Sequence, residues 1–293
     1  MKDMKEMKEM KRITIVSGKG GTGKTTIAAM FSYLASKEGK TVIADADVDA
    51  PNLPILLRVE KEETKPYFGM QKAKILRDKC TECGLCEELC SFDAIKDFEV
   101  DLKKCEGCRL CYEMCPVNAI EMIDNQAGEV YISNTSLGKM VHGLLFPGEE
   151  NSGKLVTEVK EIAQKIAEDE GCTYIVTDGP PGIGCPVIAS LNGTDVAVVV
   201  AEPTLAAISD FERIVELCRR MNLEVAALIN KSTINPELTS KIKNFCSKES
   251  IHILGEIPYD KSINEQVSAL KFPFKGNAAE KITECWNKLI GGD

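Results

Sequence analysis

Eight of the thirteen cysteines in this chain fall into two copies of one spacing, C-x2-C-x2-C-x3-C: Cys80, Cys83, Cys86 and Cys90, then Cys105, Cys108, Cys111 and Cys115. Three thiols set that close together wrap a cubane whose irons face different directions, whereas zinc ribbons pair two C-x2-C knuckles from separate hairpins. The spacing therefore points to two 4Fe-4S clusters, with zinc the other metal that such thiols hold. The copies lie 25 residues apart, and each runs on through three residues into Ala-Ile (SFDAI, PVNAI). That extension predicts a pseudo-twofold pair of loop-plus-helix units.

A second chemical group stands upstream. Gly18 to Thr25, GKGGTGKT, satisfies G-x4-G-K-S/T, with a β-branched strand (Ile13 to Val16) before it and apolar positions at helical spacing after it. Backbone N–H groups in such a loop surround phosphates at a helix N-terminus. The binding residues expected are Gly18, Lys19, Gly20, Gly21, Thr22, Gly23, Lys24, Thr25 and Thr26, with Lys24 on the β and γ phosphates and the Thr25 hydroxyl on Mg²⁺. Downstream, DVAVVVAEP, an amphipathic stretch from Ala206 to Met221, EVAALINKS, a helix and IHILGEIPYD alternate regularly. Nearly all-apolar strands alternating with helices predict an α/β fold, a doubly wound, mostly parallel sheet covered on both faces.

Composition narrows the classes. With 44% hydrophobic residues the chain can bury a substantial core, and a net charge of −9 disfavours nucleic acid as a partner. No apolar run approaches a membrane span, and the N-terminal MKDMKEMKEMKR lacks the apolar core of a signal peptide. A cytoplasmic protein is expected, with residues 1–11 a solvated tail. Cys172, Cys218, Cys246 and Cys285 stand alone and read as core residues. In the last helix Ile282, Cys285, Trp286 and Leu289 share one side, and the polar face is not strongly basic, so core packing is expected and no stable membrane anchor.

KGGTGKT resembles the deviant Walker A of the MinD/ParA superfamily, which includes the nitrogenase iron protein and the Mrp-type iron–sulfur carriers. The resemblance implies that Lys19 crosses to a partner's nucleotide, hence a homodimer on ATP binding. It also implies that Asp47, the second aspartate in the DxD of TVIADADVDAPNLP, positions the attacking water, with Asp45 and Asp49 as alternatives. In YIVTDGPPGIG it assigns Asp178 to Mg²⁺ through water and Gly182 to the γ-phosphate. Asn230, Pro258 and Asp260 match positions lining the adenine, and adenine rather than guanine rests on the resemblance alone. The catalytic set is thus Lys19, Lys24, Asp47 and Asp178.

The cysteine block resembles the bacterial two-cluster ferredoxin, in which the fourth cysteine of each run ligates the other cluster. Carried over, Cys80, Cys83, Cys86 and Cys115 hold one cluster, and Cys105, Cys108, Cys111 and Cys90 the other. Cys115 is followed by the expected Pro116, whereas Cys90 is followed by Ser91. The whole chain resembles MinD-superfamily ATPases with an inserted ferredoxin domain: residues 12–66 and 138–293 form the ATPase, and 67–137 the insert. Such a protein hydrolyses ATP, slowly without its partner, and couples dimer and switch changes to electron transfer toward a redox or metallocofactor-assembly protein. A cluster carrier or scaffold, and a positioning ATPase with a redox-sensing module, are the other readings. Cys185, seven residues after Asp178, matches a cluster cysteine of the nitrogenase iron protein, or is a metal-free thiol at a helix start.

Overall fold

The computed structural model describes residues 10–149 and 152–291. In chain order the elements are β1 (Lys11–Ser17), α1 (Lys24–Glu38), β2 (Thr41–Asp45), α2 (Leu53–Leu57), β3 (Glu60–Phe68), β4 (Lys72–Ile75), α3 (Leu85–Leu89), β5 (Ile95–Lys96), β6 (Glu99–Val100), α4 (Leu110–Glu113), β7 (Ile120–Ile123), β8 (Gln126–Thr135) and β9 (Gly138–Leu145). They continue with α5 (Ser152–Glu170), β10 (Tyr174–Pro181), α6 (Cys185–Leu191), β11 (Val196–Ala201), α7 (Leu205–Arg220), β12 (Glu224–Ile229), α8 (Pro236–Lys248), β13 (His252–Glu256), α9 (Lys261–Ser268) and α10 (Asn277–Gly291). The chain divides into two compact units: the described residues up to Thr64 with Tyr131–Gly143 and those from Ser152 onward, and Lys65–Val130 with residues 144–149. The tail expected over residues 1–11 lies outside the described residues as far as residue 9, and Lys11 already opens β1.

The larger unit is the expected α/β layer structure. Its sheet runs β13-β12-β11-β1-β10-β2-β9, with β8 and β3 continuing beyond β9. All six pairings from β13 to β9 are parallel. Alternation along single strands explains why both faces are covered. Val196, Val198 and Val200 of β11, with Ala226 and Leu228 of β12, join a core with α1 and α10. Their neighbours Ala197, Val199, Ala201, Ala227 and Ile229 join a second core with α6, α7 and α8. A strand buried on both sides needs apolar residues at every position, which is how VAVVVA reads. Capping sets where helices begin: Thr204 Oγ1 accepts from Ala207 N at 3.4 Å, and Asn235 Oδ1 from Leu238 N at 3.1 Å with Pro236 in the first turn.

The smaller unit has two antiparallel ladders, β4 with β7 and β5 with β6, and the short helices α3 and α4, which pack together. Its buried apolar residues are few and mostly small, among them Ala73, Ala94, Ala119 and Ala127, with Ile95, Ile120 and Tyr67. Its bounds differ from the expected 67–137. Residues 131–137 fall in the larger unit because they end β8 and turn into β9, whose Lys139 to His142 pair with β2. The segment 144–149 instead joins the smaller unit, where Glu149 meets Lys72 at 2.8 Å.

The last helix buries the side read from its sequence: Ile282, Cys285, Trp286 and Leu289 all lie in the core. Trp286 meets Phe31 and Tyr174 edge-on at centroid separations of 5.3 and 5.5 Å, and its Nε1 donates to Glu38 at 2.7 Å. Among the described residues no helix is long and apolar enough to cross a membrane. Trp286→Ala leaves a cavity and an unpaired Glu38 oxygen, and is expected to cost about 4 kcal/mol, read as a lowered urea midpoint at unchanged m-value.

Candidate functional site

β1 ends at Ser17, and the chain turns through six residues into α1 at Lys24. Two glycines have no substitute here. Gly23 sits at φ +90°, and a Cβ on it would stand 2.3 Å from Asn230 Nδ2. A Cβ on Gly18 would stand 2.2 Å from the Cβ of Asp210 on α7. The loop is thus pressed against β12 and α7 from behind. Its other side opens on a cavity of about 460 Å³ lined by Lys19, residues 20–26, Asp47 and Pro181, within the usual range for small-molecule sites. The cavity stands at the carboxyl ends of the strands, where open α/β sheets take ligands.

The parallel register brings the acids together. Ile15 pairs with Asp178, and Asp178 with Asp45, so three strand ends align. Lys24 Nζ lies 3.1 Å from Asp178 Oδ1, with both side chains buried. Asp178 Oδ2 is buried with no hydrogen-bond partner. Both carboxylate oxygens of Asp45 accept backbone N–H groups, from Asp47 at 3.0 Å and Leu53 at 3.1 Å, so Asp45 braces the loop after β2. Asp47 is half-buried and lines the cavity, while Asp49 is exposed. Burial, reinforced by Asp178, pushes the Asp45 carboxyl well above its usual range. Burial also raises Asp47, with Lys24 opposing and Asp178 and Asp49 adding to it. One ammonium facing three carboxylates leaves room for a divalent cation, and the orphaned Asp178 oxygen is suited to a water on Mg²⁺.

Other expected nucleotide contacts are distributed differently. Gly182 lies at φ +98° and its N–H donates to Ser17 O at 3.0 Å, beside the loop. Asn230 Nδ2 donates to Thr22 O at 2.7 Å, placing this side chain behind the loop rather than on the cavity wall. Asp260 caps α9 by accepting from Ser262 N at 2.9 Å. Neither it nor Pro258 lines the cavity, whose wall on that side is Val267 and Leu270. Cys185 begins α6 and is exposed. Cys172, Cys218, Cys246 and Cys285 are buried, and burial pushes the Cys218 thiol up to about 12.

In the smaller unit the two cysteine loops open with the same pair of hydrogen bonds. The N–H groups of Lys79 and Cys80 both donate to Leu76 O at 3.0 Å, and those of Lys104 and Cys105 to Asp101 O at 3.1 and 3.0 Å. The ties between halves are crossed. Leu76 N donates to Ala119 O, in the segment after Cys115, and Asp101 N to Ala94 O, in the segment after Cys90, each at 2.7 Å. Cys115 Sγ accepts from Ala119 N at 3.2 Å and Cys90 Sγ from Ala94 N at 3.4 Å. One concave site is accordingly lined by Cys80, Cys83, Cys86 and Cys115, with Cys111 and apolar Ile75, Phe98 and Ile120 around them. Burial, then Cys105 and Cys108, pushes the Cys111 thiol up to about 11. Crowded, half-buried thiols become thiolates only beside a cationic centre. Among the described residues no three or more His, Cys, Asp or Glu side chains are placed to hold a single metal ion. Ligands of one zinc must all lie about 2.3 Å from a common point, whereas cluster thiolates each bind a separate iron.

The chain matches the CobQ/CobB/MinD/ParA nucleotide binding domain over residues 13–274, from β1 to beyond β13. It belongs to that family. An uncharacterized protein of Methanocaldococcus jannaschii is 35% identical to this MinD/ParA-family chain over 277 residues, covering 94% of it and 95% of the relative. An iron-sulfur cluster carrier protein of Pyrococcus abyssi is 28% identical, covering 94% of this chain and 84% of the relative. In fold, the septum site-determining protein MinD of Pyrococcus horikoshii, solved with Mg-ADP, is similar at a TM-score of 0.60 and 18% identity over 96% of each chain.

Two residues of the site were not singled out from sequence. Glu202, directly after β11, and Lys231, directly after Asn230, form an ion pair at 2.9 Å. Lys231 Nζ also donates to Gly21 O at 2.6 Å, and Lys19 Nζ lies 3.2 Å from the other Glu202 oxygen. Burial pushes the Glu202 carboxyl up, but Lys231 and then Lys19 outweigh it and hold it below the usual range. A glutamate closing an otherwise apolar strand was the available signal in DVAVVVAEP.

The carboxylate crowding has a pH signature. A carboxyl whose pKa is raised in the folded state binds its proton more tightly there, so its contribution to stability falls as pH rises above the unfolded value. Asp47→Asn escapes that loss. Between about pH 4 and about pH 8 the variant is expected to gain stability relative to the parent, measured by urea unfolding without nucleotide. A gap that is flat or opens in the other direction contradicts the rise that burial, with Asp178 and Asp49, gives the Asp47 carboxyl.

Proposed function

We propose that this chain is an ATP-hydrolysing iron–sulfur protein in which nucleotide-driven dimer and switch changes control electron transfer to a redox or metallocofactor-assembly partner. The observation that supports this reading is the crossed tie of the two cysteine loops, with Cys80, Cys83, Cys86 and Cys115 lining one concave site beside Cys111; the sets the resemblance implies are Cys80, Cys83, Cys86 and Cys115, and Cys105, Cys108, Cys111 and Cys90. Those sets are the ones expected to hold two 4Fe-4S clusters, which when bound supply one-electron transfer. Residues 67–137, the segment read as the ferredoxin insert, lie in the chain between the loops carrying Asp47 and Asp178.

In the ATPase half, Lys24 and the backbone N–H groups of residues 20–26 hold the phosphates. Thr25, and Asp178 through a water, would hold Mg²⁺, which when bound neutralises phosphate charge. Asp47 faces the cavity and orients the attacking water, while Asp45 fixes the loop that presents it. Lys19 reaches the nucleotide of a second copy. A ring of exposed apolar residues supports that dimer: Ile55, Ile183, Leu205, Ile234 and Tyr259 all follow the carboxyl ends of strands. Leu205 is 75% exposed, a position that a second copy would cover.

A second reading, cluster carrier, is favoured by the 28% identical relative of that name and by the exposed Cys185. Passage of a labelled cluster to an apo-acceptor separates it from electron transfer.

Anaerobically purified protein is expected to contain about eight iron and eight sulfide. Cys115→Ala and Cys80→Ala should remove the same electron-paramagnetic signal, and Cys90→Ala the other. If Cys115→Ala instead removes the signal lost with Cys105→Ala, the crossed assignment is wrong. In a redox titration ATP should shift at least one potential, and potentials identical with and without ATP would leave the proposed coupling without support.

A further inference from the structure

Glu202 serves two lysines with two oxygens. Oε1 faces Lys19 at 3.2 Å and Oε2 faces Lys231 at 2.9 Å, and its side chain is only 9% exposed while that of Lys19 is 39% exposed. The frame around it is fixed: β11 ends at Ala201, and Thr204 caps α7 three residues later. Lys231 is anchored independently, since its Nζ also donates to Gly21 O at 2.6 Å.

This arrangement sets the energetics of release. A buried carboxylate with a single partner is costly to unpair, by several kcal/mol. Here Lys231 stays with Glu202 when Lys19 leaves, so the buried charge remains compensated and the P-loop remains braced through Gly21. Opening the Lys19 contact then costs only what a partly exposed ion pair contributes.

We propose that Glu202 is a positioning residue that holds Lys19 within its own protomer, so that Lys19 engages a second copy's nucleotide only after this pair opens. The inference rests on the reading of the site as an ATP-dependent dimer. Glu202 thereby sets how much nucleotide the chain needs before it dimerises.

Sedimentation of the full chain across a range of adenylyl imidodiphosphate tests this. Glu202→Gln frees Lys19 and is expected to lower the analogue concentration for half-maximal dimer roughly two- to fivefold, and Glu202→Asp, which keeps the charge, to restore the parent behaviour at least in part. In a Lys19→Gln background the Glu202→Gln shift should vanish, which a merely structural role would not produce. Lys231→Met, which disturbs the P-loop brace but leaves Glu202 to Lys19, should not lower the requirement. An unchanged or higher requirement in Glu202→Gln, or a shift that persists without Lys19, overturns the proposal while the dimer reading stands. A parent chain that stays monomeric with the analogue overturns both.

Discussion

Lys24 carries one positive charge into a group of three carboxylates, Asp45, Asp47 and Asp178, at the ends of two adjacent parallel strands, and most of the larger unit is arranged around that imbalance. Asp45 is kept by two backbone N–H groups, which fixes the loop bearing Asp47. Among the described residues, Asp178 is held by Lys24 on one oxygen and has no hydrogen-bond partner on the other. A buried carboxylate oxygen without a hydrogen-bond partner is costly, and a hydrated cation is suited to take it up. Lys19, Glu202 and Lys231 form a second charge group, with two ammonium groups on one carboxylate.

The smaller unit solves a different problem. Its buried apolar residues are few, and several of them are alanines, too little to hold a unit of its size by burial alone. Two turns that share the same pair of opening hydrogen bonds are tied crosswise through Ala94 and Ala119. Burial raises the Cys86 and Cys111 thiols and so disfavours their charge. Metal–thiolate bonding would reverse that cost and make cluster binding part of the folding free energy. The repeat tolerates substitution where geometry permits. Gly84 and Arg109 occupy equivalent positions at φ +78° and +66°, as do Glu82 and Gly107 at +55° and +64°.

Much of this was legible in the residues. A strand read over Ile13 to Val16 is the centre of β1, and the amphipathic stretch from Ala206 to Met221 is α7 shifted by one residue. Apolar periodicity carries such elements because a doubly covered sheet admits little else. The glycine-rich loop was legible because only a short strand–turn–helix accommodates it. Boundaries were less so: residues 131–137 read as part of the insert, yet pairing with the main sheet claims them.

What the sequence by itself determined was the inventory of chemistry: phosphate-binding backbone, cation-seeking acids and two sets of thiols, each dictated by spacing along a few turns of chain. Tertiary structure alone decided who faces whom. It chose Asp47 over Asp45 and Asp49 as the carboxylate open to the cavity, moved Asn230 behind the loop, and joined Glu202 to Lys19 across 183 residues of chain. The physical reason is that spacing constrains only neighbours in sequence. Strand register and the order of strands in the sheet bring distant charges within ion-pair distance, and no local pattern encodes them.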